Sequence, residues 1–252
     1  MVEEHHVFVP PQNYNQLLWR FVDVIKFVDL LASEELYFSR ADKFSDKFEG
    51  SNPTLTKKVR ENNILQAIER GKIDPERGKQ QIMLFENLAE NQPQNIAINC
   101  WHMNDYESAA MWDLYSRVDV GIAIVSTYER LLKALEPTSL VIHIGVVNYI
   151  DYEKDIIPWG NSFIPFVHKR KSFEHEHELR AVIWSKNNKN KGLCHPINNG
   201  VRVNVDLNAL IEAIYLYPNA PSWQYNTCEA IMKKFGLNKQ LRSSKLNEVP
   251  VY

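Results

Sequence analysis

Cysteine and glycine are scarce in this 252-residue sequence, and long apolar runs are missing. The three cysteines, Cys100, Cys194 and Cys228, are odd in number and form no CxxC pair, which excludes a zinc knuckle and a disulfide framework. They fit free, buried thiols in a reducing compartment. Nine glycines are few for a glycine-rich phosphate cradle, and Walker A, GxGxxG and kinase signatures are all missing. GxSxG and HExxH are missing too, so neither a nucleophile elbow nor a zincin helix is indicated. No apolar run approaches the ~20 residues that cross a bilayer, and Met1–His6 lacks the basic and apolar parts of a signal peptide. A cytoplasmic protein with no membrane partner is expected. Charge of one sign is lacking as well. Twenty-nine basic residues against thirty-one acidic ones leave −2, so any anion or nucleic-acid site must be a local patch.

What is present suits a globular fold: 44% of residues are hydrophobic and 24% charged, enough to bury a core. The pattern predicts a strand at Leu17–Phe21, a helix capped by Asp23, and an alternating strand at Glu35–Arg40. Residues 53–93 read as a charged helical insertion, with Pro75 in the first turn of its second helix and Ile82, Phe85 and Leu88 on that helix's apolar stripe. Strands follow at Ile96–His102 and Val118–Ser126, helices at Ser108–Tyr115 and from Thr127 to about Leu135, and a central strand at Leu140–Tyr149. Two more strands, Glu178–Ser185 and Val201–Val205, are expected to be joined by the turn Asn187–Lys191, before a last helix at Ser222–Phe235. Together these predict one α+β domain over 1–252, with a mixed or antiparallel sheet, flanking helices and the insertion at about 53–93.

Three blocks carry candidate chemistry. The first joins Arg20 to Ser39, Arg40, Asp42, Asp46 and Glu49. An arginine between Trp19 and Phe21 needs a carboxylate or an anionic ligand, because an unpaired buried charge is costly. Arg20–Asp46 and Arg40–Glu49 ion pairs are the structural alternatives. The second block runs from Cys100-Trp101-His102 to Tyr115. On a helix Ser108, Met111, Trp112 and Tyr115 share one face, Met111 and Leu114 reading as core and the polar tips of Trp112 and Tyr115 suiting a flat ligand ring. His102, at a strand end, suits proton transfer near neutral pH. The third block is His168–Val182. Read as a strand from Glu174, it sets Glu174, Glu176, Glu178 and Arg180 on one side, with Lys169, Arg170 and Lys171 as the nearby cations. His175-x-His177 is too bare a pair to predict a metal, and none is expected.

These blocks resemble the prokaryotic domain-of-unknown-function family 2971. The resemblance rests on Leu36–Phe44 with Asp46 and Phe48-Glu49-Gly50; on Cys100-Trp101-His102 through Ala109–Trp112 and Tyr115 to Gly121–Ile124; and on His168-Lys169-Arg170, Phe173-Glu174, Glu176 and Glu178-Leu179-Arg180. It spans residues 17–183, with Lys47 where that family usually has proline, and it implies kinship without a defined chemistry. The order of the blocks is also similar to that of ADP-ribosyltransferases. That similarity implies NAD as substrate, Arg20 on the dinucleotide, Trp112 or Tyr115 on nicotinamide, and Glu174, Glu176 or Glu178 as the catalytic carboxylate, in a toxin or phage-defence effector. Two other functions stay open at this level. One is a nucleic-acid binder or enzyme with Lys169, Arg170, Lys171 and Arg180 on phosphate and Trp101 and Trp112 as stacking platforms. The other is a non-enzymatic ligand-sensing or interaction module whose charges pair among themselves.

Overall fold

The structure, a computed structural model, describes residues 1–115, 121–190, 192–248 and 250. The strands are β1 (Leu17–Asp23), β2 (Glu35–Arg40), β3 (Ile96–Met103), β4 (Gly121–Thr127), β5 (His143–Val146), β6 (Asn148–Ile150), β7 (His168–Arg170), β8 (Glu178–Trp184), β9 (Gly200–Asn204), β10 (Ala213–Leu216) and β11 (Gln240–Ser243). The helices are α1 (Val24–Ser33), α2 (Thr54–Glu69), α3 (Pro75–Asn91), α4 (Ala109–Tyr115), α5 (Tyr128–Ala134), α6 (Leu207–Leu210) and α7 (Ser222–Lys234). Local chemistry sets several starts. Asp23 accepts from Lys26 N at 2.8 Å, Asp74 caps α3 ahead of Pro75, and Thr127 accepts from Arg130 N at 3.2 Å. Among the described residues no helix is long and apolar enough to cross a membrane.

Nine strands form one mixed sheet in the order β11-β10-β4-β1-β3-β2-β9, with β8 on β3 and β5 on β8; β6 and β7 pair separately. The long ladders are antiparallel, and β10–β11 and β6–β7 are parallel, so the architecture is α+β as expected. One face carries the main core, including Leu18, Phe38, Trp101, Ile124 and Leu179 beneath Phe27 and Leu31 of α1. The other face holds two smaller cores, one around Phe8 and Phe166 and one around Trp19, Phe21 and Trp112.

The sheet has a fork that positions the site. β3 pairs with β8 along seven residues, but on its other edge it meets two strands in turn. There β2 pairs only at Ser39↔Ile98 and Arg40↔Ala97, and β1 only at Leu18↔Met103 and Trp19↔His102. Past Trp19, β1 leaves β3 and follows β4, with which it pairs along its full length. Arg20 and the edge of Asn99–Trp101 therefore face a gap between β1 and β2.

Three expectations are corrected here. The run Leu140–Tyr149 is not one central strand: it divides at Val147 into β5, which pairs with β8, and β6, which leaves the sheet for β7. The N-terminal segment covers the β5 edge, with Val2 bridging Ile142 and Val9 O accepting from Val146 N at 2.9 Å. Gly145 permits this, because a Cβ there would stand 2.7 Å from Phe8 Cα. β8 and β9 are not partners joined by a turn; β9 pairs with β2, and the connection between them is long. Lys191 of that expected turn lies outside the described residues, as do Val118–Val120 at the start of the expected strand. Cys194 is exposed rather than buried.

Candidate functional site

The third block does not run as one strand. Lys171–Glu176 is a 3-10 turn, His177 adopts φ 39°, and β8 starts at Glu178. Glu174 consequently faces solvent, away from Glu176, Glu178 and Arg180, which point inward. Residues of a 3-10 turn repeat near every third position, so the alternation expected from Glu174 breaks.

Arg180 is fully buried, at 0% exposure. Its guanidinium grips both oxygens of Glu49 at 2.6 and 2.8 Å, donates from Nε to Glu178 at 2.7 Å, and reaches Phe166 O at 2.8 Å. Lys169 bridges Glu178 and Glu176, donating to Glu176 Oε2 at 2.6 Å, and the Glu178 amide donates to Tyr149 Oη at 2.8 Å. Two cations thus face three carboxylates in one interior cluster, one negative charge too many. Burial costs Glu178 most, yet Arg180, Glu176 and Lys169 together hold its carboxyl well below the usual range. The surplus falls on Glu176, the outermost member at 9% exposure, where burial and Glu178 push the pKa up to about 7 despite Lys169. Lys169 and Arg180 keep their charge against the cost of burial because Glu178 and its neighbours hold it there.

The other pairings expected from the first block also change. Asp46 binds Arg170 (Nη2 to Oδ1, 2.6 Å), and Arg40 binds Asp42 at 2.6 Å and Ile197 O at 2.6 Å. Neither Arg20–Asp46 nor Arg40–Glu49 forms. Ser39 is half-buried on β2, opposite Ile98.

Arg20 stands apart from the cluster. Its guanidinium lies in the fork, 5.8 Å from the Trp101 ring and 3.5 Å from Tyr37 O, and its Nη1 is buried without a partner among the described residues. Burial lowers its pKa to about 10, only partly opposed by Cys100. Across the seam, His102 Nδ1 lies 2.7 Å from Glu176 O. A carbonyl only accepts, so Nδ1 carries the proton and Nε2 keeps its lone pair, which is buried and unpartnered. Burial holds the ring neutral by lowering its pKa, against the Glu176 carbonyl. The register puts Arg20 on the Trp101 face and His102, Cys100, Glu178 and Arg180 on the opposite one. The three blocks therefore meet around one seam, from both faces, rather than lining a single cleft.

Trp101 and Trp112 are each 1% exposed. Trp101 donates to Asn99 Oδ1 at 2.7 Å, and Trp112, wedged by Phe21 and Tyr217, donates to Glu107 at 3.2 Å. Neither has a free face for a base. With Lys169 and Arg180 inside as well, the phosphate-and-stacking groove expected from these residues does not form; Arg170 and Lys171 alone of that set reach the surface. Leu114, expected in the core, is exposed, because α4 turns Met111 and Trp112 inward instead. Tyr115 is 48% exposed, while its hydroxyl end is desolvated and feels Glu176, Cys100 and Glu178, all raising its pKa. Sequence reasoning gave no site role to Cys100, whose thiol is pushed well up by burial and Glu178, or to Tyr149. The alternation of Cys100 with His102 on β3 was the available signal. Among the described residues no three His, Cys, Asp or Glu side chains gather as a metal site requires.

Fold and site define an α+β protein built on a forked, mostly antiparallel sheet with a buried ion cluster beside the fork. No family model matches the chain, so the resemblance to family 2971 finds no support there, and no curated protein matches it. Solved structures with some similarity to it at low identity include three of one protein. Thermus sp. 2.9 DarT in complex with carba-NAD+ is 8% identical, with a TM-score of 0.41 over 93% of this chain and 97% of that one. The same protein in complex with NAD+ gives 9%, 0.41, 94% and 98%, and with ADP-ribosylated ssDNA 10%, 0.40, 95% and 97%.

Proposed function

We propose that the chain is an NAD-using, ADP-ribosyltransferase-like enzyme working at the β1–β3 seam. The observation that carries this is the buried, unpartnered Nε2 of His102, an acceptor, beside the raised carboxyl of Glu176 on one face of the seam. Interior polar atoms left without partners are costly, and a bound ligand supplies what they lack. In this reading the exposed ring of Tyr115 meets nicotinamide and Glu176 faces the ribose on the His102 face of the sheet, and Arg20, on the opposite face, holds no part of this dinucleotide. The bond from C1′ to the nicotinamide nitrogen breaks, and its electron pair leaves with nicotinamide. Positive charge develops at C1′, where the ionised Glu176 stabilises it. An acceptor nucleophile then bonds to C1′ and passes its proton to His102 Nε2. The acceptor proposed is a nucleic acid or a protein, and the setting is that of a cytoplasmic toxin or phage-defence effector.

The interior cluster favours a second reading. Glu49, Arg180, Glu178 and Lys169 satisfy one another, as charges do when they hold strands in register. A ligand-sensing module would use Arg20 for binding and perform no chemistry. Incubating the protein with NAD and candidate acceptors, and following free nicotinamide, separates the two. Release that Glu176→Gln abolishes while NAD still binds supports the enzyme. Binding without release supports the module, and neither binding nor release removes both readings.

A further inference from the structure

A second site lies in the helical insertion. The buried stripe of α2 is Thr56, Arg60 and Ile64, spaced i, i+4, i+8, so an arginine occupies the middle of a face that otherwise packs inward. Arg60 is 6% exposed, yet no carboxylate or carbonyl among the described residues pairs with it. Its guanidinium lies 4.4 Å from the centre of the Phe85 ring on α3. Thr56 Oγ1 fixes the neighbouring loop by accepting from Ile157 N at 3.0 Å. Gly78 lets α3 close on α2, since a Cβ there would meet Ile68 Cδ1 at 2.4 Å. Between the hairpin and this loop opens a cleft of ≈ 140 Å³, lined by Arg60, Phe85, Gln92, Trp159, Asn52 and Phe166, among others. Gln92 is 8% exposed and its Nε2 is buried without a partner. The 41%-exposed indole of Trp159 supplies a flat apolar wall.

We infer that this cleft binds a small oxyanion carried on a planar ring, the anion on Arg60 and Gln92 Nε2 and the ring against Trp159. The buried amide nitrogen of Gln92 is costly without a partner, and an anion that meets it also answers the positive charge of Arg60 in the same wall. Guanidinium and amide N–H groups match carboxylate and phosphate oxygens alike, so the chemistry is shared by a nucleoside monophosphate and an aromatic carboxylate. The inference does not depend on the seam: Gly50 and Phe166 stand between this cleft and the Glu49–Arg180 pair.

The test is calorimetric titration with AMP and with benzoate, against adenosine and inorganic phosphate, in the wild type and in Arg20→Met, so that binding at the seam is not counted. The expected result is that AMP or benzoate binds both proteins equally, and at least tenfold more tightly than adenosine or phosphate. Which of the two binds tells phosphate from carboxylate. Arg60→Met should weaken it at least tenfold without lowering the thermal midpoint, whereas a merely structural Arg60 stacked on Phe85 would lower the midpoint. Gln92→Leu should weaken it several-fold and serves if Arg60→Met does not fold. No binding of either probe at millimolar concentration, or unchanged affinity in the variants that fold, overturns the inference.

Discussion

Replacing Glu49 by glutamine tests the charge balance of the interior cluster. The substitution keeps shape and removes one of the two carboxylates that grip the fully buried Arg180. Breaking a buried pair from one side costs about 3–5 kcal/mol. The exposed pair Lys79–Glu76, with side chains 69% and 75% accessible, provides the contrast: Glu76→Gln should change stability by no more than about 0.5 kcal/mol. The cluster adds a pH dependence. In the wild type Glu176 takes up a proton near pH 7 because burial and its neighbours leave one carboxylate in excess. A carboxyl raised from 4.5 to about 7 contributes stability that is fully present below the unfolded value and is lost as pH rises through the folded one. Between pH 5.5 and 8 that loss amounts to about 2 kcal/mol. With Glu49 neutral the excess is gone, Glu176 ionises at lower pH, and this decline flattens. Glu49→Gln should therefore be destabilising by about 3–5 kcal/mol at pH 5.5 and by about 2 kcal/mol less at pH 8. Urea unfolding at both values measures it. Equal losses at the two values refute the proton on Glu176, and a loss below about 1 kcal/mol at pH 5.5 refutes the pairing itself.

Nicotinamide release should rise with pH through about 7, as Glu176 loses its proton, and a pH–rate profile reads this directly. Glu176→Gln should lower the maximal rate about a hundredfold or more and leave NAD affinity within a few-fold, by single-turnover kinetics and calorimetry. In the ligand-sensing reading Arg20→Met should weaken NAD binding at least tenfold by calorimetry while the thermal midpoint holds or rises, since no carboxylate partner is lost. Gly145→Ala should cost about 1–3 kcal/mol and make the first residues a ready protease target, because the new methyl displaces the backbone at Phe8.

Local signals in the sequence were dependable where one residue type has one job. Asp23, Pro75 and Thr127 marked helix starts correctly, alternation found β2, and the strands expected at Ile96–His102 and Glu178–Ser185 match most of β3 and β8. Pairing was not legible, since it depends on contacts between distant segments. Nothing near Glu49 announces that its partner is Arg180, or that Asp46 belongs to Arg170 rather than Arg20. The Glu174–Arg180 run misled because alternating charges look alike in a strand and in a 3-10 turn, and only the left-handed His177 separates them. Trp101 and Trp112 misled for another reason. A tryptophan beside polar residues suits a ligand surface, yet each found a polar partner inside, Asn99 or Glu107, and could be buried whole. The short 207–216 segment with α6 and β10, and the edge strand β11, lacked the length that makes a periodic pattern readable.

The pairing of Glu49 with Arg180 also sets a timetable for the growing chain. The two residues are 131 positions apart, and β2 waits still longer for β9. At roughly 5–20 residues per second, a ribosome needs on the order of 7–26 s after adding Glu49 before Arg180 is even made. Throughout that interval β2 lacks its partner β9, and Glu49 in the acidic loop is without Arg180. Loop closures of this span come late and make folding slow. The nascent chain is thus most exposed to aggregation and proteolysis in its N-terminal third. That is where a holding chaperone would find its binding sites, and where those sites vanish once β8 docks on β3.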